Sequence, residues 1–375
     1  MSIESSPLRG ATLLADEPSR FGRESSGAVY EMDPLQDPRW AALVERHPRS
    51  SAFHTVPWLE ALRRTYGYSP VVYTTSPPGT ILRNGVVFCR VRSWITGRRL
   101  VSLPFSDHCE PLIDSARDME AILNALRASR ESGKWSYVEL RPVTPDLFSS
   151  EATDLWLSNR YYLHTIDMGP SEGELFRRFH KGSIQRRIQR AERAGVTYEC
   201  GRSDALLKKF YQMQMLTRRR HGMPPQPAKW FTNLRDCMGE ALEIHVASYQ
   251  GRSVAAVITL RHKNVAMYKY GGSDQAFHSL GSMPFVLWKA IQNAQATGAR
   301  SFDLGRSDFR NHGGMVFKDH WASRQSRLTY WRFSSASQAA AFGERPAFRL
   351  AQNFFGLLPN SMLRLTGELM YRHIG

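Results

Sequence analysis

Two stretches of the chain carry the alternation of apolar and polar residues that half-buried strands require. In the later one, "LEIHVASYQGRSVAAVITLRHKNVAMYKYGGSD", β-branched and aromatic residues recur between turn residues such as Gln250-Gly251, which predicts a three-stranded meander. The period then changes in "PFVLWKAIQNAQATGARSFDLG". Pro284 suits a first helical turn, Leu287, Ile291 and Ala294 share one face, and Gly298 is placed to end the helix before a short strand from Ser301 to Leu304. The first half repeats this order. "VVYTTS", "GVVFCRVRSW" and "RRLVSLPFSD" read as strands, and "RDMEAILNALRASRESGKWSYVEL" as a helix, Gly133 and a strand. Both meanders end in Ser-Asp, at Ser106-Asp107 and Ser273-Asp274, and the shared order of elements predicts two copies of one α/β unit.

Each copy is led by its own helices. "PWLEALRRTYG" precedes the first, and "HKGSIQRRIQRAERAG" and "DALLKKFYQMQMLTRRRHG" precede the second, where Leu206, Phe210, Met213 and Thr217 share a face. At 375 residues the chain suits about two domains. The expected division is a tail over 1–27, a first unit over 28–165, a second unit over 166–340 carrying the main site, and an amphipathic helical segment over 341–375 broken at Pro359. Packing on the second domain is expected of that last segment, with an interfacial helix for anionic lipid as the functional alternative.

Hydrophobic content of 42% and charged content of 22% are those of a globular protein, and a mean hydropathy of -0.41 agrees. The N-terminus lacks the apolar run of a signal peptide, and no run approaches the roughly 20 residues that cross a bilayer. A cytoplasmic protein is expected, with any membrane contact peripheral. A formal charge of +16 draws the molecule to polyanions without choosing among nucleic acid, anionic lipid and phosphorylated substrates. Cys89, Cys109, Cys200 and Cys237 are too scattered for a zinc or redox motif, so no metal is expected. Zinc-finger and RNA-recognition signatures are absent, so DNA is not expected as a partner.

Three stretches carry candidate chemistry. The first combines "HKGSIQRRIQRAERAG" with "TRRRHG": Lys181, Arg187, Thr217, Arg219 and Arg220 could hold phosphates by arginine's fork, or could simply be the wet face and basic end of two helices. In "YKYGGSD", Tyr270 is a catalytic candidate, while Gly271, Gly272 and Ser273 permit close backbone approach of a ligand. "GRSDFRNHGGMVFKDHW" follows the last strand of the second unit, at the end where open α/β sheets hold ligands. Arg306 and Asp308 are substrate-binding candidates there, and Lys318, between Phe317 and Trp321, is placed to stabilise an oxyanion. Nucleophile elbow and Walker loop are both absent, which disfavours a covalent serine mechanism.

Taken together, the tandem units, "FHKGSIQRRIQRAERAGV", "TRRRHG", "YKYGGSD" and "GMVFKDHW" resemble the FemAB-like peptidyltransferases of the Gcn5-related N-acetyltransferase (GNAT) superfamily, and most closely those associated with exosortase and exopolysaccharide systems. The resemblance implies two tandem GNAT-like units, each a mixed, mostly antiparallel sheet flanked by helices. It also implies transfer of an acyl or aminoacyl group to an amine of a cell-envelope or exopolysaccharide precursor, a phosphorylated or lipid-linked saccharide. It places Lys318 beside the transferred group and Thr217 to Arg220 at the acceptor phosphate, and it matches Trp58 and Asp107 to the acceptor cleft, Asp107 or a substrate group taking the proton. No tightly bound cofactor is implied; the donor is aminoacyl-tRNA or acyl-coenzyme A. His278, Gly281 and Met283 stand where coenzyme A-dependent members carry a pyrophosphate loop, a departure from their pattern. The rival reading is a non-catalytic RNA- or anionic-lipid-binding protein that keeps the fold.

Overall fold

A computed structural model describes residues 27–144, 155–333, 355 and 358–374. Residues 1–26 of the tail expected over 1–27, and residues 334–354 of the C-terminal portion, lie outside the described residues. The first half contains β1 (Tyr30–Met32), α1 (Pro38–Arg46), α2 (Val56–Tyr66), β2 (Ser69–Thr74), β3 (Val86–Ser93), β4 (Gly97–Val101), α3 (Ala116–Glu131) and β5 (Tyr137–Leu140). A long strand, β6 (Leu155–Asp167), leads into α4 (Glu172–Arg178), α5 (Arg186–Arg193), β7 (Thr197–Gly201), α6 (Asp204–Arg220) and α7 (Ala228–Met238). The second meander is β8 (Leu242–Tyr249), β9 (Arg252–His262) and β10 (Val265–Ser273), followed by α8 (Ser282–Ala296) and β11 (Ser301–Asp308). The chain continues into α9 (His312–Asp319), β12 (Arg324–Phe333) and α10 (Asn360–Ile374).

The strands form one 12-stranded sheet in the order β1-β2-β3-β4-β5-β12-β6-β11-β10-β9-β8-β7. The tandem repeat is plain in it. β2-β3-β4 is an antiparallel meander whose last strand pairs in parallel with β5, and β8-β9-β10 is another whose last strand pairs in parallel with β11. The helices α3 and α8 make the crossovers that parallel pairing demands. Between the two copies the strands are exchanged. β12, from the end of the second half, lies between β5 and β6, and β6 lies between β12 and β11. The division expected between 165 and 166 falls inside β6.

The apolar run of β9 buries both faces. Ala255 and Val257 pack with α5 and α8 around Trp288, and Ala256, Ile258 and Leu260 pack with α2, α6 and α7 around Trp58 and Trp230. Ile184, Ile188 and Ala191 supply the buried stripe of the arginine-rich segment, and Gly298, at φ +88, ends α8. Packing on the second domain describes α10 only in part. Tyr371 Oη donates to Pro224 O at 3.2 Å in the second half, but Tyr68 Oη and Arg99 Nη2 of the first half donate to the carbonyls of Arg372 at 3.1 Å and His373 at 2.8 Å. The helix therefore straps both copies. Among the described residues, no helix is long and apolar enough to cross a membrane.

Helix α6 lies so close to β10 that a Cβ on Gly272 would sit 2.4 Å from the carbonyl oxygen of Met213. Backbone cannot yield as a side chain does. Gly272→Ala should therefore lower stability by about 1–3 kcal/mol, read from urea unfolding, with an unchanged midpoint as the contrary result.

Candidate active site

Parallel pairing of β10 with β11 extends only from Val265–Ser301 to Met267–Asp303. Beyond that point both strands bulge. The register of β10 against β9 shifts between Tyr268 and Tyr270, and that of β11 against β6 shifts between Asp303 and Arg306. Gly305 takes φ +75 in the second bulge and donates its N–H to Asp303 Oδ1 at 2.6 Å. The strands part there, and charged side chains from separate segments enter the opening.

Lys318 comes from α9. Asn311 caps that helix by accepting from Gly314 N at 3.0 Å, and buried Trp321 anchors the turn just after it. The ammonium reaches back to donate to Gly305 O at 2.9 Å and Arg306 O at 2.7 Å. Burial lowers its pKa to about 8, against the pull of Asp107 and Asp303.

Asp107 enters from the loop after β4, accepting from Lys269 Nζ at 3.0 Å with Arg306 Nε at 3.7 Å. Burial works against its charge, but Lys269, Arg306 and Lys318 outweigh that and keep the carboxyl below its usual range. Lys269 is the extra residue of the β10 bulge, its side chain 4% exposed, and burial lowers its pKa. Its ammonium lies 5.0 Å from the Phe53 ring, 5.3 Å from Tyr270 and 5.8 Å from Trp58. Trp58 and Tyr270 thus form an aromatic wall beneath the lysine. The Tyr270 hydroxyl accepts from Trp230 Nε1 at 3.0 Å and Gln226 Nε2 at 3.4 Å, and burial pushes its pKa well up. The Arg306 guanidinium stacks on Tyr161 at 4.3 Å and Tyr330 at 5.1 Å.

A second group gathers at the far end of β10. Ser273 N donates to Thr217 Oγ1 at 2.9 Å, Ser273 Oγ pairs with His278 Nε2 at 2.9 Å, and Arg220 Nη1 lies 3.3 Å from the same nitrogen. Gly281, at φ +78, precedes α8, and a Cβ there would meet Arg187 O at 2.3 Å, so α5 is pressed against this turn. Thr217, Arg220, Ser273 and the Arg187 backbone therefore share one place beside a helix N-terminus. Elsewhere, Arg219 Nη1 donates to Asn360 Oδ1 at 3.4 Å, Lys181 is exposed, and Asp308 caps its own turn by accepting from Arg310 N. Gly271 lies against the Tyr268 ring, and Gly272 serves the approach of α6.

The matching gap of the first copy is filled. Beyond Val101, Ser102 N still donates to Glu139 O at 2.8 Å, and Arg141 Nη1 donates to Leu103 O at 2.8 Å and Ser106 O at 3.1 Å. Glu139, between Arg141 and Arg332, neutralises this plug. The second copy alone leaves its gap to Lys318.

Sequence reasoning missed Lys269, Asp303, His108 and Tyr330. Glu139 and Asp303 close the matching parallel registers of β5 and β11, six residues after Gly133 and five after Gly298, a signal that could have marked Asp303. Cys200, Glu243 and His245 also lie within 4.8 Å of one another, but both His245 nitrogens are taken, by Tyr198 Oη at 2.8 Å and Thr259 Oγ1 at 2.9 Å.

A lysine whose pKa falls from 10.5 to about 8 on folding destabilises the native state at neutral pH, since the unfolded chain holds the proton more tightly. Native stability should then rise as pH climbs from about 8 toward 10.5. Lys318→Met should lack that rise, read by thermal denaturation across pH, and a rise as large as the native protein's is the contrary result.

The family model described as the acetyltransferase (GNAT) domain matches residues 178–319. No curated protein matches the chain in sequence. Among solved structures, FemX is 12% identical with a TM-score of 0.67, over 84% of this chain and 100% of its own. The C-terminal domain of an Agrobacterium fabrum protein assigned as a lysylphosphatidylglycerol synthetase is 15% identical with a TM-score of 0.51, over 81% and 93%. A tandem GNAT protein from the clavulanic acid biosynthesis pathway is 10% identical with a TM-score of 0.50, over 81% and 97%. These likenesses are of fold. Residues 178–319 thus match the GNAT acetyltransferase domain, an acyltransferase domain, within a tandem fold like that of FemX.

Proposed function

We propose that this chain forms an amide by moving an acyl or aminoacyl group onto an amine of a cell-envelope or exopolysaccharide precursor. The observation that carries the reading is the Lys318 ammonium, set where β10 and β11 part and giving two of its three N–H groups to carbonyls. The third is free to meet an oxyanion, and such a preorganised donor acts strongly in a site with little water. The aromatic wall under Lys269 and the salt-bridged Asp107 hold the acceptor's side of the opening. The turn bearing Arg220, Ser273 and His278 suits a phosphate of donor or acceptor.

Two donors suit this arrangement, aminoacyl-tRNA and acyl-coenzyme A. The basic surface, at +16 overall, favours the polyanion. The turn before α8 also spends the N–H groups of Asp274, Ala276, Phe277 and Gly281 on Val254 O, Asp274 Oδ1, Asp274 O and His278 O, leaving fewer amides for a pyrophosphate. One similar fold belongs to a protein named for making lysylphosphatidylglycerol, an aminoacylated lipid, which is in keeping with a lipid-linked acceptor met at the inner face of the membrane.

The test supplies charged tRNA, acetyl-coenzyme A or long-chain acyl-coenzyme A together with lipid-linked saccharides from membranes, and follows amide formation. Lys318→Ala should lower the rate by about 100-fold or more. The ratio of native to variant rates should shrink as pH rises through about 8, where the ammonium is lost. An equal rate from a folded variant removes Lys318 from the reaction.

A further inference from the structure

The apolar residues of α10 do not all face the protein. Leu363 and Gly367 are buried, and Gly367 lies so close to the backbone of Pro225 that a side chain there would have no room. Met362, Leu365 and Leu369 face away from that contact, each more than half exposed. Their spacing of i, i+3 and i+7 sets them in one stripe, and His373, four residues after Leu369, continues its line. His373 is buried because the β3–β4 turn folds over it. The Trp94 ring meets its ring edge-on at 5.4 Å, Thr96 Oγ1 donates to its carbonyl at 3.1 Å, and its Nδ1 pairs with Ser93 Oγ at 3.1 Å. Trp94 is itself 86% exposed, so it carries the apolar stripe one turn further.

Six of the twelve large apolar side chains exposed among the described residues stand on α10 or this turn, so they form a patch rather than the single exposures of an ordinary surface. Arginines border it. Arg364 and Arg372 are exposed on α10, and Arg219 and Arg220 are exposed at the end of α6, where Arg219 reaches Asn360 at the first position of α10. Against them stands Glu368, 3.9 Å from Arg364, while Asp274 is taken by Arg252 at 3.4 Å. An apolar stripe with a net positive border is the pattern of a helix lying in the headgroup layer of an anionic bilayer, and tryptophan favours that layer. A second copy of this chain fits worse, because a two-fold contact brings one positive border onto another.

We infer that α10 and the β3–β4 turn dock this chain on an anionic membrane surface, with Met362, Leu365, Leu369 and Trp94 entering the lipid and the arginines meeting its phosphates. A cavity beside the helix gives the docking a use. Asn360, Ser361 and Arg364 share about 530 Å³ with Leu216 and Asp274, and Asp274 follows Ser273 in the turn that suits a phosphate. A docked chain holds that turn beside the headgroups, where the phosphate of a lipid-linked acceptor lies. This use rests on the amide-forming reading above; the docking does not.

The test floats the full chain with vesicles of phosphatidylcholine alone, or of phosphatidylcholine and phosphatidylglycerol in equal parts, at about 0.1 M salt. Binding to the anionic vesicles is expected, weaker by about tenfold or more on the neutral ones and in Leu365→Glu with Leu369→Glu. Both leucines are exposed, so this double variant keeps the native fold, checked by its melting temperature. Binding should also shift tryptophan emission to the blue, and Trp94→Phe should reduce that shift. Absence of binding, equal binding by the double variant, or a shift unchanged in Trp94→Phe overturns the inference. So does a dimer, seen by sedimentation without lipid, that the double variant breaks. The two readings fail separately. Vesicle binding by a protein that makes no amide sinks the proposed reaction alone, and an amide-forming enzyme that ignores anionic vesicles sinks this inference alone.

Discussion

A backbone that leaves its ladder must find other partners for its N–H and C=O groups, and the site of this protein is arranged around that demand. Where β10 and β11 part, Gly305 and Arg306 sit in mid-sheet with carbonyls that β10 does not meet and with one amide turned inward. Lys318 takes both carbonyls and Asp303 takes the amide. One of the two groups that repair the sheet, Lys318, is the one proposed to act. Such a lysine cannot wander on its long stem, because two hydrogen bonds fix its ammonium, and that pre-set position is what an oxyanion donor requires.

The same demand arises in both copies and is met differently. Arg141 closes the first gap with a guanidinium bonded to Leu103 O and Ser106 O, its charge balanced by Glu139. The second uses the smaller ammonium and leaves room beside it. The filled gap is not idle, however, for the loop it holds in place continues into Asp107 and His108. The first copy has become a support that delivers two side chains into the second.

Much of this was legible in the chain. The change of period from two to 3.6 at Pro284, the glycines before β5 and β11, and the matching meanders announce the tandem fold, because local backbone preference and burial agree there. Lys318 stood out through its aromatic neighbours. Helix α9 did not, since Gly313 and Gly314 mask its period. Lys269 was hidden by its own strand: strict alternation through Tyr268, Lys269 and Tyr270 would turn the lysine away from Tyr270, and only the bulge brings it over that ring. The pairing of Asp303 with His108 joins residues from different halves, and no local pattern encodes such a meeting. Exchange of β6 and β12 was equally silent, because cross-strand partners so far apart in the chain leave no short-range signature.

That exchange sets the order in which the molecule can be assembled. Among the described strands β12 is made last, yet it is the piece that lies between β5 and β6 and joins the two meanders into one sheet. While the chain grows from the ribosome, β5 waits with a bare edge until Arg324–Phe333 has been made. The sheet therefore closes only once β12 has been made, and a chain truncated before Arg324 is left with an open strand edge, prone to pairing with a neighbour.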